Sequence, residues 1–447
     1  MVVGAGSSGE VCAGRIAEGG LDVAIVEGHL VGGECSYYAC MPSKALLRPA
    51  QALAEVRRVP GATEAVTGKL DSEAVLTRRD EVIAGRDDSG QLPWLEERGI
   101  ELFRGEGRLE GERRVWAGDT ELRARKAVVL ATGTVAAMPP IEGLSEVAAW
   151  TNREATTATE VPERLLVLGG GPVGSELAQA YATLGSSVAL VEAEERILPL
   201  LEPFASDEVA AGLGESGVEL HLGARAETVS GERVVRVELS QGGAIEGDAL
   251  LVAIGRKART QGIGLETVGV EAGGFVEVDD RMRVGGSDWL YAVGDVNGRA
   301  LLTHMGKYQA RICADHVLGK EAAAAAEDRE RVPQVVFTEP QVASVGHTLA
   351  SAREAGVDAR AVDVGTSATA GASFHGRNAP GTSRLVVDGE RQVIVGATFV
   401  GVDVAEWLHA ATVAVVGEVP LERLKHAVAA YPTRSEVWLK LLEEYGL

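Results

Sequence analysis

Apolar residues arrive along this chain in short runs that stop at glycines. The start, MVVGAGSSGE, is a β-type apolar run broken by a glycine-rich turn. VCAGRIAEGG follows with the spacing of a helix, and LDVAIVE reads as a second strand ending in Glu27. The order returns as RLLVLGGGPVGSELAQAYATLGSSVALVE, which predicts strand, helix and strand again, ending in Glu192. Three more runs, KAVVLATGT, DALLVAIGRKA and WLYAVGDV, are continuous apolar stretches that end in glycine turns. Runs of this kind are expected of strands covered on both faces.

The glycines sharpen the picture. Gly4, Gly6 and Gly9 spell G-x-G-x-x-G, and Glu27 lies 23 residues after Gly4. Such a turn lets the backbone approach a pyrophosphate at a helix N-terminus, and the terminal acid can accept a ribose hydroxyl. Alone, the motif also fits a glycine-rich turn of some other α/β fold. Strand, helix, strand and acid together point to a dinucleotide site. Only Met1, Val2 and Val3 precede Gly4, fewer than the roughly five residues of an ordinary strand, so a clipped or misassigned start is expected. In the second copy Gly169, Gly171 and Gly174 open the helix, and Glu192 again follows the first glycine by 23 residues. Two cradles imply two nucleotides, as in a flavoprotein that takes hydride from a nicotinamide. Thr132 and Gly133, Gly255 and Arg256, and Gly294 and Asp295 stand at strand tips. Taken singly these are plain strand ends, with Asp295 a turn residue.

Composition narrows the class. The 447 residues suit two or three domains, and 46% hydrophobic with 24% charged residues suits a globular chain. With 65 acidic and 43 basic residues the formal charge is −22, which opposes nucleic acid and anionic lipid as partners. No apolar run approaches the roughly 18 residues of a membrane span, and the start lacks a secretory pattern, so a cytoplasmic protein is expected. Four cysteines are too few for a disulfide framework.

Two of the four, Cys35 and Cys40, lie five positions apart in VGGECSYYACMPSKALL. They read as a redox pair, half of a metal site or two buried neighbours. No second ligand pair has the spacing of a metal site, and no metal is expected. Cys12 and Cys313 read as core residues.

Taken in order, the two cradles, the Cys-x4-Cys-x-Pro-Ser-Lys segment, the Ala-Thr-Gly turn, YAVGDVNG and the late VPQVVFTEPQVASVGHT resemble the FAD-dependent pyridine nucleotide–disulfide oxidoreductases. The resemblance covers essentially the whole chain. It implies an α/β protein with two Rossmann-like dinucleotide-binding domains and a C-terminal α+β interface domain. The FAD domain would comprise residues 1–149 and 276–330, the NAD(P) domain 150–275 and the dimerisation domain 331–447. By this likeness Gly4, Gly6, Gly9, Glu27 and Asp295 hold FAD, and Gly33, Thr132, Gly133, Gly255, Arg256 and Gly294 are further cofactor-binding positions. Gly169, Gly171, Gly174 and Glu192 face the nicotinamide nucleotide, with NADH favoured because Glu192 repels a 2′-phosphate. Cys35 and Cys40 become a redox-active disulfide, Cys40 beside the flavin and Cys35 exchanging with substrate, while Lys44 pairs with Glu176. Five residues of regular helix span about 7.5 Å, beyond the roughly 7 Å that a disulfide bridges between Cα atoms, so the backbone between the two cysteines must be irregular.

The chain departs from the pattern at its end. Disulfide-exchanging members carry a histidine before the proline of H-P-T-x-S-E as acid/base, but this chain reads AAYPTRSEV. Pro432, Thr433, Ser435 and Glu436 align, with Tyr431 in the histidine's place. A tyrosine that ionises near 10 donates a proton at neutral pH and is a poor base. His426 is the nearest imidazole. Mercuric reductases also use a tyrosine in this region, but their C-terminal cysteine pair is missing here. The expected protein is a homodimeric NAD(P)H-dependent FAD disulfide oxidoreductase acting on an unknown small-molecule acceptor. Its rivals are a mercuric-reductase-like reductase of metal ions or quinones, and a flavoprotein subunit that binds a partner with little catalysis.

Overall fold

The structure is a computed structural model that describes residues 1–320, 330–377 and 379–447; the end of the expected 276–330 segment, 321–329, lies outside the described residues. The chain divides into two compact units, residues 1–42, 79–137 and 255–329 in one and 43–78, 138–254 and 330–447 in the other.

In the first unit five parallel strands run in the order Leu290–Ala292, Val128–Leu130, Val2–Val3, Val23–Glu27, Ile100–Arg104. The two-residue strand at the chain's start is central: Val2 pairs with Ile25 on one side and Val129 on the other. Strand alternation then sorts the apolar side chains. Val2, Ile25 and Val129 share one core with Cys12, Ile16 and Cys313 from helices, while Val3, Val26 and Leu130 share another with Leu109 and Val115. Both faces are covered, which is why these strands read as unbroken apolar runs.

Two helices lie against this sheet, Ser7–Glu18 and Thr303–Val317. They run parallel and in register. A Cβ at Gly306 would come within 2.2 Å of the Ser8 hydroxyl, Cys12 hydrogen-bonds Cys313, and Arg15 Nε donates to Asp315 Oδ1 at 2.9 Å. Close packing at Gly306 needs the absence of a side chain.

The second unit holds a four-stranded parallel sheet in the order Val218–Leu222, Ser187–Glu192, Arg164–Leu168, Ala249–Val252. Helix Pro172–Thr183 follows Arg164–Leu168. A five-stranded antiparallel sheet, Gln334–Val336, Gln341–Gly346, Val393–Gly401, Thr382–Asp388, Ala359–Gly365 in spatial order, makes the C-terminal part. Helices Leu408–Val416 and Val437–Tyr445 contribute Ala411, Val415 and Leu441 to the core around Phe399. Residues 43–78, which the sequence reading assigns to the first domain, group with this unit because Leu46, Leu47, Val75 and Leu76 join a core with Leu165, Leu177 and Tyr181. No helix among the described residues is long and apolar enough to cross a membrane.

Candidate active site

The cysteine segment is built around a break. Gly33–Tyr37 forms a short helix, Tyr38 leaves helical geometry with φ −137°, and a new helix of 19 residues, Cys40–Arg58, starts at the second cysteine itself. The irregular backbone that the five-residue spacing demands therefore lies at Tyr38 and Ala39. Both cysteines are thiols, and Cys35 is in hydrogen-bond contact with Cys40 and with Thr303. Thr303 Oγ1 is also 3.5 Å from Cys40 Sγ. The sulfur of Cys40 stands at a helix N-terminus, where unpaired N–H groups favour a thiolate. The hydrogen bond with Cys40, followed by burial, pushes the Cys35 thiol upward, and Thr303 and the charge of Lys307 oppose that rise. Tyr37 and Tyr38 fill the core behind the cysteines with Ile83, and the Tyr38 hydroxyl meets His29 Nε2 at 3.0 Å. They present no open aromatic surface.

The strand tips of the first unit converge as the sequence order implies. Asp295 opens a short 3-10 turn, and its Oδ2 accepts a hydrogen bond from Thr134 Oγ1 at 2.9 Å. Arg256 donates to the same hydroxyl at 2.6 Å, and it lies 3.7 Å from Glu34 and 3.9 Å from Asp295. Burial raises the Asp295 carboxyl above its ordinary range, with Thr134 and Arg256 acting against the rise. Thr132 ties the turn down by donating to Arg259 O at 2.9 Å.

Each cradle can be tested for a dinucleotide without reference to a ligand. In the first, a Cβ on Gly4 would meet Ala131 O at 2.4 Å and one on Gly9 would meet Gly4 O at 1.9 Å. In the second, the same additions at Gly169 and Gly174 meet Ala253 O at 2.6 Å and Gly169 O at 1.9 Å. The middle glycines, Gly6 and Gly171, face almost open space, and neither helix start has a side-chain cap. Orphan N–H groups beside open space suit a pyrophosphate. Gly33 closes the first cradle, since a Cβ there would press to 2.7 Å from Gly6 Cα. Gly133, Gly255 and Gly294 take positive φ values of 71°, 138° and 76° at their strand tips. The acids do more than wait for ribose. Glu27 accepts Ala5 N–H at 2.7 Å and His29 N–H at 2.7 Å. Glu192 likewise accepts Gly170 N–H at 2.6 Å and Glu194 N–H at 2.9 Å. Lone pairs remain on both carboxylates for a ribose hydroxyl.

In the second unit Lys44 Nζ lies 2.7 Å from Glu176 Oε2, and Glu176 Oε1 accepts Phe337 N–H at 2.9 Å. Only 7% of the Glu176 side chain is exposed, so this charge depends on both partners. Tyr431 is 77% exposed, while the segment after it is anchored by Arg434, whose guanidinium lies 4.5 Å from the Trp407 ring. Glu436 Oε2 is buried without a hydrogen-bond partner among the described residues. His426 is exposed. Elsewhere in this unit Glu55, His375 and Asp403 bring ligand-type atoms within 4.8 Å of one another, and the charges of Arg434 and Arg58 act on His375 beside those of Asp403 and Glu55.

Sequence reasoning missed Thr303, Thr134, Phe337 and Lys307. A threonine opening the helix of LLTHMGKYQA was the visible signal for the first.

Known proteins agree with the geometry. Residues 1–312 match the family described as pyridine nucleotide-disulphide oxidoreductase, and residues 332–442 match its dimerisation domain. The chain is 31% identical to a mercuric reductase of Staphylococcus aureus over 98% of its own length and 80% of that protein's. It is 32% identical to a dihydrolipoyl dehydrogenase of Haloferax volcanii, covering 99% of this chain and 95% of that one. The HOCl-induced flavoprotein disulfide reductase RclA of Escherichia coli superposes with a TM-score of 0.87 at 27% identity, covering 99% of this chain and 98% of the other. The dimerisation domain supports a homodimer, and the family's members are enzymes that bind FAD and use NAD(P)H, which answers the alternative of a non-catalytic subunit. The chain belongs to the pyridine nucleotide-disulphide oxidoreductases.

Proposed function

We propose that Cys35 and Cys40 alternate between disulfide and dithiol as the last relay from NAD(P)H to an external acceptor, with Cys40 turned to the flavin and Cys35 to the acceptor. The observation that carries this reading is the pair of mutually hydrogen-bonded thiols at a helix break, held by Thr303, in a chain with two dinucleotide cradles. FAD, bound at Gly4, Gly6, Gly9, Gly33, Glu27, Thr132, Gly133, Gly294 and Asp295, would supply two-electron relay chemistry between nicotinamide and cysteines. Gly169, Gly171 and Gly174 serve the nicotinamide nucleotide in the same reading, Glu192 selects NADH by repelling a 2′-phosphate, and Gly255 and Arg256, the latter bonded to Thr134 beside Asp295, belong with the FAD site. The Lys44–Glu176 ion pair keeps a positive charge where family likeness places the flavin. The division into an FAD domain (1–149 and 276–330), an NAD(P) domain (150–275) and an interface domain (331–447) belongs to this reading, as does a cytoplasmic setting.

Tyr431 decides the direction. Exposed in one protomer, it reaches the redox cysteines across the homodimer interface, with Glu436 behind it. A neutral phenol donates a hydrogen bond to an acceptor or developing anion but does not collect the proton that oxidation of a small dithiol releases. The enzyme is therefore a reductase. A metal ion or quinone is the second reading of the acceptor. It is favoured by the tyrosine, by the mercuric reductase likeness, and by the fact that RclA, a structural neighbour, is known as a Cu(II) complex.

Steady-state NADH oxidation with disulfides, quinones, and mercuric and cupric salts tests the reading. Turnover with at least one acceptor and negligible oxidation of dihydrolipoamide are expected. Brisk dihydrolipoamide turnover would overturn the role given to Tyr431 and make His426 the first base to mutate.

A further inference from the structure

Along helix Cys40–Arg58, Lys44, Gln51 and Arg58 recur at a spacing that puts all three on one face. They reach the same short segment, Phe337–Glu339, which follows strand Gln334–Val336. Gln51 Nε2 donates to Phe337 O at 2.8 Å, Arg58 Nη1 donates to Glu339 Oε1 at 2.8 Å, and the Lys44 ammonium lies 4.7 Å from the centre of the Phe337 ring. Helix Pro172–Thr183 grips the segment as well, through two buried side chains. Glu176 Oε1 accepts Phe337 N–H at 2.9 Å, and Gln179 Oε1 accepts Glu339 N–H at 2.7 Å. Past the end of a strand the main chain has lost its ladder partners, and here the side chains of two helices take their place. Phe337 is where those side chains meet. Its N–H, its C=O and its ring each hold a different one.

We propose that Phe337 is a positioning residue that fixes the Lys44 ammonium in place on Glu176; this rests on the reading that puts the Lys44–Glu176 pair at the flavin. A lysine carries its charge on a flexible four-carbon stem, and a single ion pair at a partly open site holds such a stem weakly. The Lys44 side chain is 36% exposed. Phe337 restrains it twice. Its N–H takes Glu176 Oε1, which directs Lys44 Nζ to Oε2, 2.7 Å away. Its ring face, negative through the quadrupole, attracts the same ammonium at 4.7 Å, well inside the roughly 6 Å over which such contacts act. Ser43 Oγ adds a hydroxyl 3.3 Å from Nζ. Gln51 completes the arrangement by holding the Phe337 carbonyl, so the ring is fixed from its own main chain. Phe337 takes no part in the bond changes of hydride transfer and acts through the position of the Lys44 charge.

The experiment compares ring variants of Phe337 in the FAD-loaded enzyme by two readouts. One is trace acylation of Lys44 with acetic anhydride at pH 8, read at that residue by mass spectrometry. The other is the stopped-flow rate of flavin reduction across a range of NADH concentrations. A trifluorinated phenylalanine placed at position 337 keeps the ring's shape and strips the negative charge from its face. It should quicken Lys44 acylation and slow the limiting rate of flavin reduction, each by about threefold, with the half-saturating NADH concentration changed less than about twofold. Phe337→Leu should act in the same directions by up to about tenfold, and Phe337→Tyr, which keeps an electron-rich ring, should stay within about twofold of wild type. Gln51→Leu frees the Phe337 carbonyl without touching the ring or the ion pair, and should shift both readouts as fluorination does, by a smaller factor. Acylation and limiting rate unchanged in the trifluorinated protein would overturn the proposal and leave Phe337 as filling. An unchanged limiting rate in Lys44→Met would instead strike at the reading that puts the pair at the flavin, and the acylation series then decides whether Phe337 holds Lys44.

Discussion

Two cysteine pairs flank the same two parallel helices, and they could hardly be kept more differently. Cys12 and Cys313 hydrogen-bond each other in the interior of the helix pair, both wholly buried among Val2, Ile25 and Val129. Burial and the partner thiol push Cys313 well above the ordinary thiol range. Cys35 and Cys40 also bond to each other, but at the helix N-termini, half-buried, beside a hydroxyl and within reach of a lysine's charge. Sulfur next to sulfur is common to both. On the reading of Cys35 and Cys40 as the redox pair, what separates it from an inert pair is the supply of hydrogen-bond donors and positive charge, together with access.

The largest effect that could break this contrast is catalytic. Cys40→Ser should lower NADH-driven acceptor reduction by at least about a thousandfold, whereas Cys12→Ser should keep it within about threefold. Loss of the long-wavelength absorbance of the two-electron-reduced enzyme in Cys40→Ser, and its survival in Cys35→Ser, would assign which sulfur faces the flavin. Next comes reactivity. In the native dithiol enzyme, alkylation at pH 8 should modify Cys35 at least about a hundredfold faster than Cys12 or Cys313, and the difference should vanish in guanidinium. Rapid native labelling of Cys313 would erase the distinction between the two pairs. Stability is affected less. Cys313→Ala removes a buried sulfur from a packed core and should cost about 1–2 kcal/mol in a denaturant titration, with turnover retained.

The smallest expected effect is on the pH profile of stability. Glu10 is raised from 4.5 to about 7, so the native state binds its proton more tightly than the unfolded chain does. Its contribution is fully present below about 4.5 and is lost as pH rises through about 7. Glu10→Gln should flatten that part of the profile, seen as a midpoint of chemical unfolding that changes less between pH 5 and 8 than in wild type. An identical slope in both proteins would show that the helix N-termini are as indifferent to protons as the Cys12–Cys313 core.

What could be read from the sequence follows from range. The cradles were legible because glycine spacing, helix start and terminal acid all fall within one stretch of each copy. The break between Cys35 and Cys40 was legible because five residues of regular helix are too long for the expected bond. The partnership of Cys12 with Cys313 was not, since it depends on the register of two helices some 300 residues apart, Cys12 facing Cys313 as Arg15 faces Asp315. Thr303 and Lys307 were hidden for the same reason. The grouping of residues 43–78 escaped because Leu46, Leu47, Val75 and Leu76 look like any core residues until their partners Leu165 and Tyr181 are known.

The carboxylates of Glu27 and Glu192 carry a warning for redesign. Each already fastens one main-chain N–H of the glycine turn and one of its own loop, so the side chain that would read a nucleotide's sugar is also the rivet of the turn that would grip its phosphates. Replacing Glu192 to admit a phosphorylated nucleotide would unfasten Gly170 and Glu194 in the same stroke. Cofactor preference in this scaffold cannot be swapped like a key. It has to be recast together with the lock plate, with a substitute acceptor for the two freed N–H groups written into the same variant.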